Sequence, residues 1–188
     1  GAGTDTLTGG TGNDTIAIAA AGEGNADTMD GGSGTDTLQL SAGAHSLTTN
    51  NKVVNIQTVT AHASGSSVDL TGQAEAFTIS GAAGGDVLKG GSGNDIITGA
   101  GGGDTLTGGA GNDTFNVDSG TDTVADLGGS GGGQSDILVV SSGATANATN
   151  IANFAATSAT KNSGDATLTG ASGGSTINMS NSSLGGYT

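Results

Sequence analysis

A nine-residue unit, Gly-Gly-x-Gly-x-Asp-x-U-x with U a large apolar residue, recurs along this chain. Clean copies run from Gly9 to Ala17 (GGTGNDTIA), Gly31 to Gln39 (GGSGTDTLQ), Gly90 to Thr98 (GGSGNDIIT) and Gly108 to Asn116 (GGAGNDTFN). Looser copies begin at Gly1, Gly22, Gly81, Gly99, Val117 and Gly131. A unit this short cannot bury a core alone and becomes stable only by stacking on its neighbours, so the chain is expected to be an all-β solenoid. Composition agrees. Glycine supplies 39 of 188 residues, proline is absent, and three phenylalanines and Tyr187 are the only aromatics, too few bulky side chains for a conventional core.

The U position traces a ladder. Leu7 and Ile16, then Met29, Leu38, Leu47 and Ile56, then Leu70, Ile79, Leu88, Ile97, Leu106, Phe115 and Val124, advance in steps of nine, and Leu138 follows after a longer gap. The extra residues at each break are expected to bulge as corner loops. Each x-U-x reads as a short strand with its apolar side chain inward and threonines outward. The Gly-x-Gly-x-Asp part reads as the turn. The ladder crosses Ser41 to Ser80, where the Gly and Asp template is lost, so one continuous solenoid is expected there, with a separate small β-domain as the rival. Phe77, two residues before Ile79, is expected on the same face. Ala144 to Ala156 is alanine-rich and admits a short helix. From Ser141 onward the template fades into closing rungs or a cap.

Charge narrows the partners. Seventeen acidic residues face only Lys52, Lys89 and Lys161, and the net charge is −14. Nucleic acid, which needs clustered Lys and Arg, is excluded as an expected partner, and such a chain wants cations. The absence of cysteine rules out disulfides and thiolate metal sites. No apolar run is long enough for membrane insertion. Gly1 falls midway through a repeat, so the chain is expected to be a piece of a longer protein. No catalytic constellation is visible and no enzyme activity is expected. His45 and His62 are expected on the outer face or a loop. Asp30, Asp69, Asp118, Asp126 and Glu75 lie off the template and, with Lys52 and Lys89, read as solvated.

These repeats closely resemble the RTX family, the hemolysin-type calcium-binding repeats of bacterial proteins exported by type I secretion. The resemblance covers Gly1 to Gln39 and Gly81 to Val139. It implies a right-handed parallel β-helix or β-roll solenoid, two repeats per turn, with calcium ions between the rungs. Ligands would come from the sixth-position carboxylates Asp5, Asp14, Asp27, Asp36, Asp86, Asp95, Asp104, Asp113, Asp122 and Asp136. Carbonyls of the nearby glycines would complete the shell: Gly10, Gly12, Gly32, Gly34, Gly91, Gly93, Gly109 and Gly111. Glu23 and Asn25 near Asp27, and Gln134 near Asp136, replace template glycines.

Alternate repeats then stack. The pairs are Asp5 with Asp27, Asp14 with Asp36, Asp86 with Asp104, Asp95 with Asp113, Asp104 with Asp122, and Asp113 with Asp136. Rungs lie about 4.7 to 4.9 Å apart. Bare carboxylates at that distance repel by roughly 3 to 4 kcal/mol at an effective dielectric near 20. Calcium takes oxygen ligands at about 2.3 to 2.6 Å, so it spans the same gap from the middle, whereas magnesium needs about 2.0 to 2.1 Å. About five or six calcium ions are expected, roughly one per stacked pair. The expected organisation is a first array over 1–40, metal-poor rungs over 41–80, a second array over 81–140 and a metal-poor closing region over 141–188.

A texture rich in Gly, Thr, Ser, Ala and Asn, without Cys, Pro or Arg, looks like a bacterial surface-layer protein. The expectation is therefore a secreted, extracellular structural module that folds on calcium and packs with copies of itself in a surface lattice. The alternatives are the secretion and folding module of an exported toxin or hydrolase, and an adhesin. Ice binding is disfavoured, because the third position of the repeat carries no rank of threonines.

Overall fold

A computed structural model describes residues 3–128, 135–151, 153–172 and 176–179. The looser copies at Gly1 and Gly131, and the chain end from residue 180, therefore lie partly or wholly outside the described residues. Twenty strands follow one another: β1 Thr6–Thr11, β2 Thr15–Ile18, β3 Thr28–Ser33, β4 Thr37–Leu40, β5 Gly43–Ser46, β6 Val53–Val54, β7 Thr58–Thr60, β8 Ser66–Asp69, β9 Thr78–Ser80, β10 Val87–Lys89, β11 Ile96–Thr98, β12 Thr105–Thr107, β13 Thr114–Val117, β14 Thr121–Val124, β15 Ile137–Val140, β16 Thr145–Ile151, β17 Asn153–Ala155, β18 Lys161–Asn162, β19 Asp165–Gly170 and β20 Thr176–Asn178. No helix occurs among the described residues.

Every strand pairing is parallel, as a chain that winds in one direction requires. One wall is an eight-stranded sheet, β2-β4-β7-β9-β11-β13-β15-β18. The opposite wall is a seven-stranded sheet, β5-β8-β10-β12-β14-β16-β19, with a three-stranded sheet, β1-β3-β6, serving the first turns. The molecule is a β-solenoid of about seven turns. The eight-stranded wall runs unbroken through β7 and β9, so residues 41–80 wind in the same solenoid as the flanking repeats.

Turn length varies. Pairing of Thr78 with Ile96, Ile96 with Thr114 and Val87 with Thr105 gives turns of 18 residues. Before and after this block the turns are longer: Thr15 pairs with Thr37, Leu38 with Val59 and Thr114 with Ile137. This variation corrects the nine-step ladder in the middle of the chain. The inward column of the eight-stranded wall is Ile16, Leu38, Val59, Ile79, Ile97, Phe115 and Leu138. His45, Val59 and Val68 hold the rung positions that a strict step of nine assigned to Leu47, Ile56 and Leu70. Those three residues are buried between strands instead. Each buried aliphatic or Phe side chain stabilises the stack by roughly 1.5 to 3 kcal/mol.

Two further expectations are overturned. His45 is fully buried, because register places it in line with Val68 and Leu88 on the inward side of the seven-stranded wall. Its Nε2 lies 3.0 Å from the Ser41 carbonyl oxygen. His62, by contrast, is exposed. The alanine-rich segment is strand, not helix. Its TANATNI pattern alternates with period two, and Ala146 and Ala148 pair in register with Asp122 and Val124, so the existing wall templates another strand.

Candidate metal centre

Each sixth-position aspartate sits just before a strand, at the corner where turn becomes wall, except Asp122, which is the second residue of β14. Register therefore decides which acids meet. Because Thr15 pairs with Thr37, Asp14 lies beside Asp36; because Val87 pairs with Thr105, Asp86 lies beside Asp104. All six sequence-derived pairs are adjacent, and each is joined in the same way. The backbone N–H of the earlier aspartate donates to Oδ1 of the later one: Asp5 to Asp27 and Asp14 to Asp36 at 2.7 Å, Asp86 to Asp104 and Asp95 to Asp113 at 2.8 Å, Asp113 to Asp136 at 2.9 Å and Asp104 to Asp122 at 3.0 Å. The neighbouring asparagines stitch the turns in the opposite sense: Asn112 N–H donates to Asn94 Oδ1, and Ser135 N–H to Asn112 Oδ1.

The second carboxylate oxygens differ from site to site. Asp86 Oδ2 accepts from Ala82 N–H, Asp95 Oδ2 from Gly91 N–H and Asp136 Oδ2 from Gly128 N–H. In Asp14, Asp36, Asp104 and Asp122 the Oδ2 atom is buried and has no hydrogen-bond partner. These four are two of the stacked pairs. A buried charged oxygen without a partner costs several kcal/mol unless the group is neutralised or finds a cation.

The first glycine of the repeat makes room for these oxygens. Gly99 has no left-handed φ, so its lack of a side chain serves space and not conformation. A Cβ there would lie 2.5 Å from Asp104 Oδ2 and 2.9 Å from Asp122 Oδ2, so both unpartnered oxygens converge on one point. A Cβ on Gly9 would lie 2.5 Å from the Gly31 carbonyl oxygen and 2.8 Å from Asp14 Oδ2. The sequence reading omitted these first-position glycines, although their recurrence in every clean copy was the available signal. The glycines it did name stack differently. The carbonyls of Gly10, Gly12, Gly91 and Gly93 abut the α-carbons of Gly32, Gly34, Gly109 and Gly111, leaving no space for a Cβ between turns.

Electrostatics follow from this packing. Burial, with added repulsion from Asp136, Asp95 and Asp126, pushes the Asp113 carboxyl up to about 7. Burial, with added repulsion from Asp104, a hydrogen bond that the protonated carboxyl can donate to Asp104, and repulsion from Asp118, does the same for Asp122, also to about 7. Burial likewise raises Asp95, Asp104 and Asp136. Several off-template residues are also less solvated than their positions suggested. Asp126 accepts the N–H groups of Gly108 and Gly109, Asp30 holds Asn55, Asp69 pairs with Lys89 at 3.3 Å, and Lys52 donates to the Ala26 carbonyl.

In the middle turns the acid slot is filled otherwise. Gln57 Oε1 accepts the Asp36 N–H, Phe77 N–H donates to Asp95 Oδ1, and Ser66 N–H donates to Asp86 Oδ1. The acid columns are thus interrupted while the backbone ladder continues.

The donor set is oxygen only. Among the described residues no three acidic or histidine side chains cluster, so each gap offers two carboxylates and would draw its other ligands from main-chain carbonyls. Such a set fits a hard cation of calcium's size and disfavours zinc or copper.

Comparison with protein families matches the model described as RTX calcium-binding nonapeptide repeat, in four copies, over residues 1–17, 20–44, 78–106 and 90–124. This is an RTX protein. The RTX copies contain every stacked aspartate except Asp136, and residues 45–77, where Gln57 and Ser66 stand in the acid slot, fall outside them. Searches of curated proteins and of solved structures give no match to this RTX chain.

Proposed function

We propose that this chain is an extracellular, calcium-binding structural module of a bacterial surface-layer protein exported by type I secretion, without catalytic activity of its own. One observation carries the reading: two pairs of buried carboxylate oxygens, Asp14 with Asp36 and Asp104 with Asp122, lack any N–H or hydroxyl donor, and Asp104 and Asp122 can bond each other only if one of them takes up a proton. Calcium, when bound, would supply positive charge to these oxygens. Asp104 and Asp122 would hold it beside Gly99, and Asp14 and Asp36 beside Gly9 and Gly31. The protein's own groups prepare this. Backbone N–H groups fix Oδ1 of Asp36, Asp104 and Asp122, leaving their Oδ2 atoms aimed at the gap, and glycine at the first position keeps the gap open.

At low calcium the buried acids oppose folding, and glycine-rich turns add about 0.5 to 1 kcal/mol of chain entropy per residue relative to alanine. A loose chain suits export. Outside the cell, binding to the folded state alone would stabilise it by mass action. Affinities of about 10⁻⁴ to 10⁻³ M are typical of extracellular calcium modules and would make a switch of this kind. The acidic texture rich in Gly, Thr, Ser, Ala and Asn and the absence of Arg, Cys and Pro support a surface-layer role over that of a toxin appendage.

The test is calcium titration of the metal-free protein followed by circular dichroism. Strand signal should appear with calcium, collapse with chelator and stay absent with equal magnesium. Full strand content in verified metal-free protein would end this proposal.

A further inference from the structure

We infer that the gap after Asp36, where the chain departs from the repeat, holds a further and weaker calcium ion between Asp36, the Asn55 carbonyl and the Gln57 side chain. Residues 45–77 lie outside the RTX copies, so the repeat assigns no ligand to Asn55 or Gln57. The Asp36 carboxylate faces both ways. Its Oδ1 accepts the Asp14 N–H and so faces the preceding turn. Its Oδ2 faces the following turn: a Cβ on Gly31 would meet both the Asn55 carbonyl oxygen and Asp36 Oδ2, the latter at 2.6 Å. Asp36 is only 1% exposed, and this Oδ2 has no hydrogen-bond partner. A bare carboxylate oxygen is therefore aimed at a turn with no aspartate to share a cation.

That turn supplies neutral oxygens instead. Gln57 Oε1 accepts the Asp36 N–H at 2.7 Å, the bond that an aspartate Oδ1 accepts in the acid pairs. This turns the amide oxygen toward Asp36, and the amide nitrogen does not satisfy Oδ2. The Asn55 carbonyl stands over Gly31 as the Gly31 carbonyl stands over Gly9. Its aim is imposed, since Asn55 holds a left-handed φ of 54° that few side-chain-bearing residues adopt. Asn55 Nδ2 donates to Asp30 Oδ1 at 2.8 Å, and the same oxygen accepts the Gly32 N–H, which ties the two turns together.

The neighbouring acid column ends differently. Pairing of Met29 with Val53 sets Lys52 beside Thr28, and the Lys52 ammonium donates to the Ala26 carbonyl at 3.0 Å. That column ends on a cation the chain itself provides. No lysine serves Asp36: Lys89 pairs with Asp69, and Lys161 begins β18 at the far end of the sheet. Calcium accepts amide and main-chain oxygens as well as carboxylates, and its affinity follows the charge of the ligand set. With one carboxylate aimed at the gap in place of two, this ion binds last. The inference rests on the calcium reading above and adds one ion to it.

The experiment uses the full chain, isotope-labelled for amide NMR, with calcium alone as the probe and circular dichroism as the fold check. Calcium is raised beyond the level that completes the strand signal. The amides of Asn55 and Gln57 should still shift after those of Asp86 and Asp104 have stopped, with a midpoint at least about tenfold higher. Gln57→Glu keeps the acceptor for Asp36 N–H and adds a second carboxylate, so it should lower that midpoint at least about tenfold. Thr60→Glu adds the same charge on the outer side of β7 and should leave the midpoint in place. Folded wild type with no late shift at Asn55 and Gln57 overturns this inference alone, whether or not Gln57→Glu folds. So does a late shift that Gln57→Glu moves no further than Thr60→Glu. Strand signal indifferent to calcium would instead sink the calcium reading itself.

Discussion

The block from Thr78 to Val124 and the turns from Ser41 to Phe77 are stacked in one sheet yet held by different chemistry. In the first, turns of 18 residues bring acid beneath acid. In the second, the same slots hold Gln57, Ser66 and Phe77, which continue the backbone ladder without burying charge. There the Gln73 amide also donates to the carbonyls of Leu47 and Thr49, closing a corner without metal. Parallel stacking therefore does not require aspartate. The acids add a condition to stability that the middle turns lack: their buried charge must be neutralised, by a proton or by a cation.

The sharpest way to break the contrast is Phe77→Ala. Phe77 is buried in the acid-free turns, so its loss should cost about 3 to 5 kcal/mol. The cost should be the same with and without calcium in chemical denaturation; a strong calcium dependence would erase the distinction between the regions.

A smaller effect should come from pH in metal-free protein. The folded carboxyls of Asp113 and Asp122 sit near 7, above the ordinary 3.8. A raised folded value means that the unfolded state releases protons first. Stability is then fully present below about pH 4 and is lost as pH rises through about 7. Hydrogen exchange without calcium should show Thr78–Val124 better protected at pH 5 than at pH 8, with little change at Val59 and Val68. Equal protection at both pH values would contradict the raised values.

Asp122→Asn should move stability by about 1 to 3 kcal/mol, with opposite signs in the two conditions. The amide keeps an acceptor for Asp104 N–H, so metal-free protein gains by losing a buried charge, while calcium affinity falls. Destabilisation in both conditions would contradict the reading that the buried Asp122 charge opposes folding without metal. The smallest effect belongs to Asp69→Ala. Its carboxyl lies below the usual range: burial acts to raise it, and hydrogen bonds from Thr71 with the Lys89 charge outweigh that. An exposed pair of this kind contributes about 0 to 1 kcal/mol, and no calcium dependence should be measurable by denaturation.

Much of this was legible in the repeat. Asp95 and Asp113 are 18 apart, and the corner insertion that separates Asp14 from Asp36 also separates Asp5 from Asp27, so both pairs keep step. The middle turns were not legible, because their lengths depart from two nonapeptides. The step from Leu38 to Val59 is 21 residues, and counting by nine lands on Leu47 and Ile56 instead. His45 was misjudged for the same reason, since only register with Val68 reveals its inward place. The unpartnered Oδ2 atoms could not be read at all, because every copy contains the same aspartate and only the folded corner decides whether a backbone N–H such as that of Ala82 reaches it.

The most direct measurement is a crystal structure at saturating calcium with anomalous scattering from the ion. The account predicts a peak beside Gly99, contacted by Asp104 Oδ2 and Asp122 Oδ2, and none beside Phe77. An empty gap between those two carboxylates would contradict it.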